Sequence, residues 1–248
     1  MPVLFVLSLV LQFVCLVHMV RSGRPYWWAW IIVLGMGLGA AVYIVTQILP
    51  DLGNDPRARR AARGAIKKLD PTRDLRKLRD ELSRAETVQN KMNLGAEFLA
   101  LGEAKEAEEI FAQCLTGLNA HAPDLLLALA QAQFAQGKAR ETHETLTRLI
   151  QLNPEFRSND GHLLFARALE ALGRADEALN EYAALEESYP GEEARVRYAR
   201  LLITEHRIDE AKSVLEKVRT RVRVAPKYYQ KAQREWSDEA GSILQALR

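Results

Sequence analysis

Cysteine is nearly missing from this chain: Cys15 and Cys114 stand far apart, each in apolar surroundings. Two such residues supply neither a disulfide framework nor a zinc-ligand spacing. Acidic residues are absent from positions 1–50, where Arg21 and Arg24 are the only full charges. A charge excess is lacking too. With those two arginines set aside, the 34 Lys and Arg fall to 32, equal to the 32 Asp and Glu. A balanced domain is a poor general binder of nucleic acid, which draws on clustered positive charge, so no nucleic-acid partner is expected. Enzyme signatures are also absent. His121, His143, His162 and His206 are scattered, and none belongs to a His-Glu-x-x-His pair. There is no Gly-x-Ser-x-Gly elbow and no phosphate loop, and the acidic pairs Glu108-Glu109 and Glu192-Glu193 suit solvated helix faces. The chain reads as a non-enzyme that needs neither cofactor nor metal.

What is present divides sharply. Residues 2–20 and 27–49 are two apolar runs, each about as long as the roughly 30 Å hydrocarbon core of a bilayer requires. The connection Arg21-Ser22-Gly23-Arg24-Pro25-Tyr26 is short and turn-like, so the pair reads as a transmembrane hairpin. Tyr26, Trp27, Trp28 and Trp30 gather at one end, as aromatic rings do at headgroup level. A cleaved signal peptide is the alternative for the first run, but a basic n-region and a clear Ala-x-Ala site are lacking. Gly35 and Gly39 fall on one helix face, a small-xxx-small pair that admits a neighbouring membrane helix. Gly35-Met36-Gly37-Leu38-Gly39 has no preceding strand, which excludes a dinucleotide loop. Beyond the second run come Arg57, Arg59, Arg60, Arg63, Lys67 and Lys68. The positive-inside rule then predicts an inner-membrane protein of two spans with a cytoplasmic tail, its basic flank lying against anionic lipid. The alternative is a periplasm-facing envelope or secretion accessory.

From about Val88 to Arg223 one pattern recurs four times. Leu94-Gly95-x-x-Phe98, Gly102 and Ala107-x-x-x-Phe111 form the first copy. Leu129-Ala130, Gly137, Thr142-x-x-x-Leu146 and Pro154 form the second. Phe165-Ala166-x-x-Leu169, Gly173, Ala178-x-x-x-Tyr182 and Pro190 make the third. The worn fourth is Tyr198-Ala199-x-x-Leu202, His206 and Ala211-x-x-x-Leu215. Each copy predicts two helices with apolar stripes, and glycine marks the turn in the first three. Gly95, Ala130, Ala166 and Ala199 are small where the second helix must approach. One pair cannot bury both stripes, so neighbours must stack.

These residues resemble the tetratricopeptide repeat (TPR) family, whose unit is a helix–turn–helix of about 34 residues. The predicted fold is therefore all-α: a transmembrane helical hairpin (1–50), a basic linker and spacer helix (51–87), a TPR α-solenoid (88–225) and a capping helix (226–248). Asp70-Pro71 is a good start for the spacer helix, whose stripe is Leu75, Leu78, Leu82 and Ala85. The cap carries Tyr228, Tyr229, Ala232, Trp236, Ala240, Ile243, Leu244 and Leu247. A second resemblance, on Trp30 to Leu34, Gly39-Ala40 and Tyr43, is to the two-span anchor of cardiolipin synthases and other phospholipase D relatives. Their His-x-Lys-x4-Asp motif is absent, so this likeness implies an anchor without lipid chemistry.

The TPR resemblance implies a scaffold whose first helices line a concave groove for a protein or peptide partner. In phase with the repeats, that lining comprises Met92, Ala96 and Leu99; Leu127, Gln131 and Phe134; Leu163, Arg167 and Glu170; Val196, Arg200 and Ile203. Arg167 and Arg200 would suit a peptide carboxylate, or would pair with Glu170 or Glu193. Lys91 and Asn93 lack the spacing of a chaperone-tail clamp. Charge also varies along the chain. Residues 69–216 hold 27 acids and 18 bases, whereas residues 217–234 hold seven bases and no acid. That basic end would suit lipid, an acidic partner or a plain solvated cap.

Overall fold

The computed structural model describes residues 2–35, 38–48 and 70–247, and these fall into two units that divide after Arg73. The basic flank from Arg57 to Lys68, with Met36 and Gly37, lies outside the described residues.

The first unit corrects the transmembrane hairpin. Helix α1 spans Pro2–Arg21, but the second apolar run is broken into α2 (Trp27–Leu34), α3 (Leu38–Tyr43) and a π-helical turn (Ile44–Ile48). The break falls at Gly35, where α2 ends with its last N–H bonded to the Ile31 carbonyl at 3.0 Å. The chain then returns so closely that a Cβ on Gly39 would stand 1.8 Å from that carbonyl oxygen. These glycines serve a fold-back of the backbone and not a flat helix face. Helices of 8 and 6 residues fall well short of the roughly 20 needed to cross a bilayer. Among the described residues no helix is long and apolar enough to cross a membrane. The predicted two-span placement in the inner membrane falls with that hairpin. Residues of both apolar runs instead share a small core of Cys15, Met19, Ile32, Ala40 and Tyr43. Trp28 meets Tyr43 edge-on, and His18 Nδ1 lies 3.2 Å from the Tyr43 hydroxyl.

The second unit is a run of antiparallel helix pairs. Helix α4 (Arg73–Arg84) precedes α5 (Val88–Leu101) and α6 (Ala104–Cys114), then α7 (Pro123–Ala135) and α8 (Ala139–Leu152). The third pair is α9 (Asn159–Ala171) with α10 (Ala175–Ser188), and the fourth is α11 (Glu193–Thr204) with α12 (Ile208–Val224). The predicted single cap is two helices, α13 (Lys227–Ala232) and α14 (Arg234–Ala246). Helix α14 packs on α12 and α11.

All four intra-pair turns solve helix termination in the same way. The first helix ends with a left-handed residue at Gly102, Gly137, Gly173 and, in the fourth, His206 at φ 60°. The next N–H reaches back to the helix, as in Glu103 to Phe98 O (2.9 Å) and Arg207 to Leu202 O (2.8 Å). This is the Schellman closure, which satisfies carbonyls that the helix end leaves without partners. Where the two helices cross, small residues are required: a Cβ on Gly95 would lie 2.5 Å from the Phe111 ring. Ala130, Ala166, Ala199, Ala107, Ala178 and Ala211 are all fully buried at the equivalent crossings. Leu75 of α4 joins the first pair's core with Leu94, Phe98 and Phe111, while Leu78 and Leu82 pack against it.

Candidate functional site

The first helices α5, α7, α9 and α11 carry the predicted lining, and the structure sorts those residues by depth. Leu163 and Val196 are buried in the core of the third and fourth pairs, and Ile203 packs against that core. They support the face from beneath. Met92 and Leu99 sit half-buried on the separate core of the first pair. Leu127 and Phe134 are half-buried on the core between the second and third pairs. Ala96, Gln131 and Arg200 are exposed, whereas Arg167 and Glu170 are half-buried. Lys91, set aside as a clamp residue, pairs with Glu86 at 2.6 Å.

Of these residues, Phe134 and Arg167 are brought into direct contact. The Arg167 guanidinium lies over the Phe134 ring, 4.6 Å from its centroid. Burial, and then the neighbouring Arg197, push the Arg167 pKa below its usual value, while Glu193 pulls it back. The Glu193 carboxylate is 3.9 Å away and is itself held by Arg197 Nε at 2.8 Å. Glu170 does not neutralise Arg167 by hydrogen bonding either, because it accepts the Tyr182 hydroxyl at 2.6 Å. That bond, behind the larger effect of burial, holds the Tyr182 phenol well above its ordinary pKa. Arg167 Nε is buried and makes no hydrogen bond among the described residues.

The arrangement continues towards the chain end through Arg200, which the repeat phase places on this face, and through Arg197, Trp236 and Glu239, which it does not. Arg197 lies over the Trp236 ring at 5.7 Å, and Arg200 pairs with Glu239 of α14 at 3.2 Å. A strip of three charges between two rings results: Phe134, Arg167, Glu193, Arg197 and Trp236. The spacing of Glu193 and Arg197, four apart on one helix, was the available signal for their pairing. Trp236 carried none, because its stripe reads only as a cap. Among the described residues no group of His, Cys, Asp and Glu could hold a metal ion.

Stacked helix pairs, each closed by the same left-handed turn and crossing at small residues, decide the architecture. The fold is a TPR-like α-solenoid. Solved structures agree. A thermophilic TPR protein of Thermus thermophilus (TTC0263) superposes with a TM-score of 0.53 at 21% identity, over 67% of this chain and 88% of that one. A crystal structure of MamA gives 0.51 at 19% identity over 66% and 92% of the two chains. A further MamA structure gives 0.51 at 20% over 74% and 97%. No protein-family model and no curated protein sequence matches the chain. None of these comparisons supports the N-terminal likeness to the phospholipase D anchor.

Proposed function

We propose that this solenoid is a protein-interaction scaffold whose first-helix face captures a partner segment through a carboxylate placed on Arg167. One observation carries the reading: a half-buried arginine, flat on Phe134, keeps the outer part of its guanidinium accessible, while its nearest counter-charge, Glu193, stands 3.9 Å away and is held by Arg197. A partly buried guanidinium gains most from an acceptor that can meet its fork of donors, and a carboxylate does so in two parallel bonds. Gln131 and Arg200 flank the strip and remain exposed, so the partner would run along α7, α9 and α11. Solenoids of this kind use their repeated face as an extended docking surface, which supports the reading at the level of fold.

The test is site-specific photocrosslinking in the native cell. A crosslinker at Gln131 or Arg200 is expected to give one discrete adduct that disappears with Arg167→Glu, while one at Ile150 on a second helix gives none. An adduct from Ile150 alone, or one from Gln131 that ignores Arg167→Glu, contradicts the proposal.

A further inference from the structure

The basic end of the chain is sorted by face, and that sorting points to a second docking surface independent of the first-helix face. Seven bases and no acid lie between residues 217 and 234. Three are neutralised within the fold: Lys217 by Glu186 (2.9 Å), Arg221 by Glu192 (3.5 Å) and Arg234 by Asp238 (3.4 Å). The other four, Arg219, Arg223, Lys227 and Lys231, have no acidic partner among the described residues, and neither has Lys212.

Helical geometry explains the division. Lys212, Arg219 and Arg223 stand seven and four residues apart, so they form one stripe on α12, whereas Lys217 and Arg221 fall on another. The unpaired stripe forms a wall of a groove of about 690 Å³ between α12 and the closing helices. Val222 and Leu244 give it apolar ground, and Gln230 and Ser237 add polar contacts from the opposite side. Glu216, four residues after Lys212 and three before Arg219, is the one acid on this stripe and in this lining, against three bases. Lys227 and Lys231 extend the positive field into an adjoining depression with Val222 and Gln230, where Asp238 is offset by Arg234.

A surface of this kind costs stability through self-repulsion unless a counter-charge arrives. Apolar ground beneath a basic wall fits a segment that alternates carboxylates with aliphatic side chains. It suits a bare polyanion less well, because such a ligand would leave Val222 and Leu244 uncovered. We propose that the α12–α14 groove docks an acidic amphipathic peptide segment of a partner protein, with Arg219 and Arg223 receiving its carboxylates and Leu244 its apolar side chains.

The experiment uses the full chain and a fluorescein-labelled peptide built from repeats of Glu-Leu-Asp-Glu, followed by fluorescence anisotropy. Binding is expected, weakening as ionic strength rises from about 0.05 to about 0.3 M because exposed charges are screened. Arg219→Glu with Arg223→Glu should weaken it by roughly tenfold or more. Lys227→Glu with Lys231→Glu, remote from the core, should weaken it by a smaller factor and guards against misfolding of the first variant. Arg167→Ala should leave it unchanged, which separates this surface from the first-helix face. The proposal is overturned by peptide binding that both charge-reversal pairs leave intact, or by no binding at low salt. It is equally overturned if an all-glutamate peptide, a single-stranded oligonucleotide or phosphatidylserine vesicles compete as strongly as the amphipathic peptide.

Discussion

Replacing Arg195 by Met should loosen the end of the solenoid while leaving its start intact. Arg195 and Glu192 are 1% and 0% exposed and meet at 3.2 Å, three residues apart at the start of α11. The Arg195 guanidinium also donates to the Gly191 carbonyl at 2.6 Å and the Tyr189 carbonyl at 3.4 Å. Glu192 accepts the Tyr229 hydroxyl at 2.8 Å, and its backbone N–H donates to Gln233 at 2.9 Å. The pair therefore fastens the loop before α11 to α13 and α14. Removing one member of a buried pair costs roughly 3–5 kcal/mol because a charge stays behind without its partner. Tyr229 and Arg221 still attend Glu192, so the lower end, about 3 kcal/mol, is expected. At about 1.4 kcal/mol per tenfold, local opening rises roughly 100-fold. Hydrogen exchange read by mass spectrometry should show this over residues 190–233 and not over residues 88–114. Adding Glu192→Met to the same chain should recover most of the loss, because an apolar pair leaves no buried charge. A change below about threefold in the single variant, or a double variant that exchanges faster still, would refute the reasoning.

His206 occupies a left-handed conformation that costs a non-glycine residue roughly 1–2 kcal/mol, so His206→Gly should raise the urea midpoint despite glycine's greater unfolded-state entropy; a lowered midpoint speaks against that turn geometry. Gly95→Leu drives a side chain into the Phe111 ring, which is buried and cannot yield, and should cost about 2 kcal/mol; an unchanged denaturation midpoint would exclude this crossing. Burial alone would raise the Glu108 pKa, but hydrogen bonds from Lys138 and Gln136 outweigh it and hold the carboxyl below the usual carboxylate value. Its stabilising contribution is thus complete above the ordinary value and is lost as pH falls through the depressed one. The wild-type melting temperature should fall between about pH 5 and pH 3 more steeply than that of Glu108→Gln, and parallel curves would remove this link between the first two pairs.

The repeat architecture was legible because its determinants are local. A glycine that closes a helix and an alanine at a crossing each act within one pair, so four copies reveal the same unit. Even His206 could be aligned with the three glycines, and the structure gives it their backbone conformation. The hairpin is not legible for a physical reason: apolar length looks the same whether a helix runs on or breaks at Gly35. The same glycine pair that permits close packing of membrane helices also permits a backbone fold-back, and spacing does not separate the two. Long-range polar contacts left little trace either. Tyr229 and Glu192 lie 37 residues apart, and nothing near either residue announces the bond. On the candidate face, depth was the quantity that phase could not supply. The same periodicity that selects Gln131 and Arg200 also selects Leu163 and Val196, which the structure buries.

The side of the helix pairs that receives the partner decides how this solenoid works. A structure of the complex trapped from Gln131 measures this directly. It should show the partner lying along α7, α9 and α11, with a carboxylate within hydrogen-bonding distance of the exposed guanidinium nitrogens of Arg167 and an apolar group against Phe134. A partner seated instead on the second helices, with no carboxylate on the Arg167 guanidinium, would contradict it.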